Sequence, residues 1–285
     1  MMRTLTGIVL LGMGGLILQP LSSALRRAEE RAGLLSAFPA ITGDAMVEQL
    51  SFFTLGGLRS LAAEILTLDA TNAWMARDWP RAERRWQMIT ALCPLRQNYW
   101  VSAARDMATN AAGHAFNDPK LSESEQTRLA RSYISRGERF LKDGLQQLPH
   151  SALLYMRLGE LYADLNRNPS FSQAADAYHK AVENGASALY HRHEFYSLCR
   201  IRGREHEAWK LGRELFLHSS AHRVPSLRCL LFVLQNKIEV PENEKLSPSE
   251  LFGSDEKARK ELADFARNHL RFPINGIKRY LSSED

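Results

Sequence analysis

The histidines of this sequence are the residues best suited to catalysis or metal binding, but their spacing predicts neither. HEAWK at residues 206–210 departs from the metalloprotease pattern HExxH, because Lys210 stands in the place of the second histidine. His191 and His193 are two residues apart and therefore point to different faces of a helix. Neither arrangement predicts a metal or catalytic site.

One further set of residues has a spacing that metal ligands use. Glu214, His218 and His222 are spaced by four, which would place three ligands on one face of a continuous helix. However, the stretch HSSAHRVP, which holds both histidines, is typical of a helix end. We therefore predict a surface turn here and no metal.

The other residue types that carry chemistry also form no recognisable site. Cys93, Cys199 and Cys229 are far apart in an odd-numbered set, so the sequence predicts buried thiols and neither a disulfide framework nor a zinc site. No nucleophile elbow or P-loop occurs, and GMGG lies in an apolar stretch with no strand before it. We predict no catalytic residues, no cofactor and no small-molecule substrate.

The charge distribution argues against nucleic-acid binding. The chain carries a formal charge of +5, from 37 Lys and Arg against 32 Asp and Glu. Its densest basic stretches, RAERR and RIRGREHEAWKLGR, contain acidic residues, whereas a nucleic-acid binder concentrates positive charge on one face. These stretches are typical of solvated helix faces.

The elements that must position any site are predicted to be helices throughout. Beyond Arg31, apolar residues recur at spacings of three and four, and no stretch alternates as a strand would. Ser122 with Glu125 forms a capping-box pattern. The tryptophans fall on helical stripes and are predicted to pack between helices: Trp74, Trp79, Trp86, Trp100 and Trp209. The fold class is therefore all-α.

The N-terminal residues 1–31 form a separate segment. Residues 4–25 carry no charge, and these 22 residues would make a helix of about 33 Å, enough to cross a hydrocarbon core of about 30 Å. We favour a single transmembrane anchor. A signal peptide cleaved near Ser22 and Ala24 is the alternative. Basic residues after the span favour a cytoplasmic body, and the short N-terminal tail favours export, so we lean towards the extracytoplasmic side.

The stretch LSFFTLGGLRSLAAEIL at residues 50–66 resembles a second span but is better interpreted as a helix. Arg59 and Glu64 would each cost a few kcal/mol near a bilayer centre. A helix beginning at about Leu58 places one apolar stripe on one side. Its members are Leu58, Leu61, Ala62, Ile65 and Leu68. We predict that residues 32–62 are a linker and a capping helix.

A spacing of small and large residues repeats along the middle of the chain. A small residue is followed by a large one four positions later, an apolar or small one three after that, and a proline five further on. The matches are Ala82, Trp86, Ile89 and Pro94; Gly137, Leu141, Gly144 and Pro149; and Ala174, Tyr178 and Ala181 without the proline. Such a pattern predicts helical pairs in which the small residue permits close approach.

These residues resemble the tetratricopeptide repeat (TPR), with PHSALLYMRLGELYADL and QAADAYHKAVENG as the best match. The resemblance covers residues 63–222 in about four units and implies a helical-hairpin solenoid. Pro94 and Pro149 are 55 residues apart, against the family's 34, so we predict an insertion at 117–121. Gly212 stands where the pattern expects a large residue. FTLGGLRSLAAEIL is also similar to the opening of poorly characterised bacterial membrane-anchored repeat proteins.

The remaining residues, 223–285, are predicted to form C-terminal helices and a tail. The stretch VPENEKLSPSELFGSD is typical of a loop. A helix is predicted from Glu256 to about Arg271, with Asp255 as its cap and Pro273 ending it.

The TPR resemblance implies a groove, lined by the first helix of each pair, that binds a protein partner. The residues expected to face it are Asn98, Val101, Arg105, Met156, Glu160, Asp164, His193 and Arg200. We therefore expect a membrane-anchored scaffold, an accessory subunit of a bacterial membrane or envelope assembly. The alternatives are an obligate structural subunit buried in a larger complex and, third, an enzyme whose residues meet only in three dimensions.

Overall fold

The computed structural model describes residues 58–167, 169–269, 271–274 and 276–282, and these residues contain helices and no strand. The all-α prediction is confirmed. The chain divides between Pro149 and His150 into two compact units, called here unit 1 and unit 2. Among the described helices, none combines the length and the apolar character needed to cross a membrane. The predicted span at 4–25 and the rest of residues 1–57 lie outside the described part of the chain.

Unit 1 contains two packed sets of helices. Its elements are α1 (Arg59–Met75), α2 (Trp79–Leu92), α3 (Gln97–Arg105), a π-helix (Asp106–Ala111), α4 (Ala112–Phe116) and α5 (Glu123–Gln147). Helix α1 packs against α2. The segment from α3 through the π-helix to α4 is continuous, and α5 packs along all three parts of it. The predicted insertion at 117–121 lies between α4 and α5, and the capping box of Ser122 and Glu125 begins α5 as predicted.

The face of α1 that packs inside unit 1 is not the predicted apolar stripe. Its buried residues are Ala62, Ala63, Ala70 and Ala73. Of the predicted stripe only Ala62 is buried, while Leu61 and Ile65 are each 56% exposed and Leu68 is 68% exposed. Small side chains let two helices approach closely, which explains why α2 lies on the alanine face. The predicted apolar stripe therefore does not form the contact with α2, and that prediction was wrong. Helix α1 also continues through residues 62 and 63, where the sequence predicted the capping helix to end and the repeats to begin.

A buried carboxylate lies at the start of the π-helix. The indole Nε1 of Trp86 donates to Asp106 Oδ2 at 2.8 Å, and the Asn110 amide donates to Asp106 Oδ1 at 3.0 Å. Burial raises the pKa of Asp106, because removing the carboxylate from water outweighs these two hydrogen bonds, which lower it. The π-helix is therefore joined to α2 through a buried carboxyl group.

Asp106→Asn is expected to change how the stability of the protein depends on pH. Because the folded pKa is raised, protonated Asp106 stabilises the fold fully below the unfolded pKa of about 3.9, and this contribution disappears as pH rises through the folded pKa. The free energy of unfolding of wild type relative to Asp106→Asn should thus increase from pH 7 to pH 4, by at most about 1.4 kcal/mol per pH unit. Urea unfolding at each pH measures this difference. Parallel pH profiles would show the assignment to be wrong.

Glycine permits a close approach between α5 and the continuous helical segment. A Cβ placed on Gly137 would lie 2.5 Å from Ala108 Cβ and 2.7 Å from the carbonyl oxygen of Ala104. Both distances are shorter than the van der Waals contact distance of a Cβ atom, and the second is to a main-chain atom. This small residue is the one that the repeat pattern placed on the second helix of its pair.

Unit 2 is a series of helices, each packed against the next along the chain as far as α10. The elements are α6 (Ala152–Ala163), α7 (Phe171–Glu183), α8 (Tyr190–Leu198), α9 (Glu205–His218), a 3₁₀ turn (Ser220–His222), α10 (Pro225–Lys237), a second 3₁₀ turn (Glu242–Glu244), α11 (Pro248–Phe252), α12 (Asp255–Asn268) and α13 (Ile277–Leu281). Helix α12 then packs against α10, α11 and α13.

Two pairs in unit 2 use glycine in opposite ways. In the α6–α7 pair, a Cβ on Gly159 of the first helix would lie 2.7 Å from the Tyr178 ring on the second. In the α8–α9 pair, Phe195 of the first helix is fully buried, and its ring would lie 2.5 Å from a Cβ on Gly212 of the second. The large residue absent at position 212 is thus supplied by the facing helix, and residues 187–222 still form a packed pair.

The C-terminal region completes the core of unit 2. Helix α10 buries residues on all sides, among them Leu227, Leu230, Leu231 and Leu234, as expected of a central helix. The Gln235 amide donates to the Leu246 carbonyl at 2.7 Å and accepts from its N–H at 3.2 Å, which holds the following loop.

Details of the C-terminal prediction need correction. The predicted loop contains the short helix α11, and α12 begins at Asp255 and ends at Asn268. Its cap is Ser254, not Asp255, because Ser254 Oγ accepts from the Lys257 N–H at 3.2 Å.

Candidate partner-binding surface

The predicted groove residues of unit 2 come from two helices. Met156 and Glu160 lie on α6 with Asp164 at its C-terminal end, and His193 lies on α8. Partial burial of the imidazole and, secondarily, the charge of Arg192 lower the pKa of His193, while Glu160 acts in the opposite direction. The Glu160 carboxylate thus acts electrostatically on His193 from the neighbouring part of unit 2.

A row of aromatic rings runs from α7 and α8 to the segment after α12. Tyr190, His193 and Tyr196 are spaced by three on α8, with ring centroids 5.4 Å apart for the first pair and 6.3 Å for the second. Tyr178 lies 5.3 Å from His193, and Phe272 lies 5.9 Å from Tyr196. These five residues are called the aromatic row. Tyr178 is buried beneath the row, whereas His193 is exposed and Tyr190, Tyr196 and Phe272 are partly exposed. These four rings are of the kind that dominate protein interfaces.

Arg200 lies at one end of the aromatic row and has no counter-ion among the described residues. Its guanidinium carbon is 3.4 Å from the centroid of the Phe272 ring and 5.1 Å from that of Phe171. One nitrogen donates to the Tyr196 carbonyl at 2.9 Å, and the buried Nε has no hydrogen-bond partner among the described residues. Burial lowers the pKa of Arg200 to about 10. This is a stacked cation with unused donors.

The two acidic groove residues already have local partners. Glu160 accepts from Arg157 at 2.7 Å, one turn earlier on α6. Asp164 forms an ion pair with Arg167 at 2.8 Å and accepts from the Asn166 N–H at 3.0 Å, which stabilises the turn after α6. The Asp164 carboxylate therefore has a structural role in this turn. Met156 is half-buried.

The predicted groove residues of unit 1 share one face of α3. Asn98 and Arg105 are exposed, and Val101 between them is half-buried. Their spacings of three and four place them on the same side of the helix, as expected for a groove-lining helix.

Unit 1 also contains an open cleft of about 890 Å³. It is lined by Trp74, Met75, Arg77, Trp79, Asn110, His114, Asn117, Asp118, Pro119 and Lys120. Trp79 Nε1 donates to His114 Nδ1 at 3.1 Å, so the proton of a neutral His114 lies on Nε2. Trp79, Trp86, Trp100 and Trp209 are buried as predicted, but Trp74 is 42% exposed at this cleft, so its predicted packing role is wrong.

Several surface residues were missed by sequence reasoning. Tyr190 and Tyr196 could have been found, since their spacing of three from His193 is visible in YHRHEFY. Phe272 follows no repeat pattern and reaches the row only because the C-terminal region folds back. Among the histidines, α9 ends at His218, so His222 leaves the helix as predicted, but it is buried and does not lie on the predicted surface turn. A different group, His179, His191 and Glu194, comes together and could hold a metal.

Comparisons of the chain with protein families, curated proteins and solved structures found no match. Function is therefore inferred from the contacts of the described residues.

Proposed function

We propose that this chain is a TPR-like scaffold that binds an acidic segment of a partner protein on unit 2. The binding surface is the aromatic row together with Arg200. The uncharged run at residues 4–25 supports a membrane-anchored scaffold, acting as an accessory subunit of a bacterial membrane or envelope assembly. The mechanism is recognition, with no bond made or broken.

The observation that carries the proposal is the environment of Arg200. A partly buried cation is costly unless an anion compensates for its lost hydration, and no carboxylate of the described residues forms an ion pair with it. A carboxylate from a partner could accept two hydrogen bonds from the guanidinium, a geometry that arginine presents and lysine does not. Phe171 and Phe272 hold the guanidinium plane in place.

The aromatic row supplies the apolar part of recognition. Tyrosine and arginine are enriched among the residues that carry most binding energy at interfaces. Tyr196 is held by a 2.7 Å hydrogen bond between its hydroxyl and that of Ser226, so this ring is positioned before a partner arrives. Preorganised side chains lose little entropy on binding.

The pairing of helices supports the repeat part of the proposal. Gly159 with Tyr178, and Phe195 with Gly212, give two successive helix pairs the close small-against-large contact that the TPR pattern uses. Stacking of such pairs produces extended binding surfaces.

An obligate structural subunit is the second candidate, and the exposed face of α1 favours it. Leu61, Ile65 and Leu68 present adjacent apolar side chains to solvent among the described residues. A chain lacking residues 1–31 distinguishes the two: a scaffold should remain monodisperse, whereas an obligate subunit should aggregate unless its partner is co-expressed.

Site-specific photocrosslinking tests the proposal. A photoreactive amino acid would replace His193 in the full-length chain in its native cells, with His206, an exposed histidine on α9, as the matched control position. We expect an adduct with one partner at position 193, little at position 206, and loss of the adduct when Arg200 is also replaced. Equal labelling at both positions, or none at 193, would reject the surface.

A further inference from the structure

We propose that His179, His191 and Glu194 form a binding site for a divalent transition-metal ion, with Zn²⁺ the best fit. One donor atom from each residue lies within 4.8 Å of the others. His179 comes from α7, and the other two come from consecutive turns of α8. The site is independent of the partner-binding surface proposed above.

The three donor groups meet at the Glu194 carboxylate. His179 Nδ1 lies 3.0 Å from Glu194 Oε1, and His191 Nδ1 lies 2.9 Å from Glu194 Oε2. Tetrahedral ligands about 2.0–2.1 Å from an ion lie about 3.3 Å apart, so each imidazole must move a few tenths of an ångström away from Glu194 to admit an ion. Two histidines and one carboxylate are a donor set that binds Zn²⁺ and leaves positions for water.

Glu194 is the centre of the site. Its side chain is only 10% exposed, and its contacts with His179 and His191 account for both carboxylate oxygens. Since carboxylate oxygens accept, each imidazole donates a proton from Nδ1. A bound ion would take the place of those two protons, which would move to Nε2 of the neutral imidazoles, and would neutralise the buried charge.

The surroundings favour a cation. His179 Nε2 lies 3.4 Å from Glu183 Oε1, which matches the carboxylate–histidine–metal arrangement that orients a metal-bound imidazole. Glu207 also acts electrostatically on His179. The nearby cation Arg204 is paired with Glu207 at 2.6 Å and lies 3.8 Å from Asp176.

The sequence carried a signal for this site. His191 and Glu194 form an H-x-x-E spacing, which places two donors on one helical face. His179 belongs to the preceding helix and becomes adjacent only because α7 and α8 pack against each other.

The site is tested by calorimetric titration of the full-length protein with Zn²⁺. The protein is purified without a histidine tag and stripped of metal with a chelator. The absorption spectrum of bound Co²⁺ provides a spectroscopic check. We expect one saturable site, and at least tenfold weaker Zn²⁺ binding in Glu194→Gln and in His179→Asn. Glu183→Gln should weaken binding by about tenfold, as an outer partner does. His206→Asn is the matched control and should bind as wild type does.

His179 is half-exposed, so His179→Asn keeps the test usable if Glu194→Gln fails to fold. Absence of saturable Zn²⁺ or Co²⁺ binding would overturn the proposal. An affinity that both substitutions leave within about twofold of wild type would overturn it as well, with hydrogen bonding then the only role of the cluster.

Discussion

Replacing Arg200 by methionine is expected to weaken binding of the partner segment by at least about 30-fold, because truncating one member of a buried charge pair costs about 2–5 kcal/mol. Methionine preserves much of the apolar contact with Phe171 and Phe272 while removing the charge and the donors. The segment crosslinked at position 193, made as a peptide, serves as the ligand in a titration of full-length protein.

The matched control for this prediction is Arg202→Met, which removes the same charge two residues away. Arg202 is exposed, and exposed charges typically contribute about 0.2–1 kcal/mol, so its affinity should fall by no more than about fivefold. Arg200→Lys keeps the charge but loses the planar fork and should recover only part of the affinity. Equal effects of the two methionine substitutions would mean that Arg200 contributes only general charge.

Gly137→Ala is expected to lower the free energy of unfolding of unit 1 by about 3 kcal/mol, near the upper end for overpacking. The added methyl would meet Ala108 Cβ at 2.5 Å and the Ala104 carbonyl oxygen at 2.7 Å. Main-chain atoms cannot rotate away as a side chain can, so α5 must move. This cost exceeds the gain of about 0.5–1 kcal/mol that alanine brings to a helix interior.

Gly113→Ala is the matched control, because nothing lies within 4 Å of the added Cβ on this helical glycine. It should stabilise the protein by about 0.5–1 kcal/mol. A Trp209→Phe background leaves tryptophans only at positions 74, 79, 86 and 100, so fluorescence during urea unfolding reports on unit 1 alone. If Gly137→Ala is as stable as Gly113→Ala, the close approach of α5 is not a feature of the protein.

What the sequence predicts well here is local. The capping box at Ser122 and the helical character of the described chain follow from spacings within a few residues. The stripe on α1 shows the limit: periodicity selects Leu61, Ile65 and Leu68, which are exposed, while the buried face carries Ala62, Ala63 and Ala70. Which face α2 contacts depends on how closely the helices can approach, and hydrophobicity alone favours the wrong one.

The candidate sites show the same limit more strongly. His193 and Arg200 were predicted from a repeat resemblance, but the stacking of Arg200 on Phe272 joins residues 72 positions apart and leaves no periodic trace. Gly212 departs from the repeat pattern only when each helix is considered alone, because Phe195 on the facing helix compensates for it. Compensation across a helix pair is visible only once the pairing is known.

The most direct test of the central claim is a double-mutant cycle between Arg200 and the acidic residues of the partner segment. Titrations would combine wild type or Arg200→Met with the native peptide or with a peptide whose Glu and Asp residues are replaced by Gln and Asn. We expect a coupling energy of at least about 1.4 kcal/mol, a tenfold effect, because each change should be nearly silent once the other is present. Additive effects, with both changes weakening binding independently, would contradict recognition of a carboxylate by Arg200.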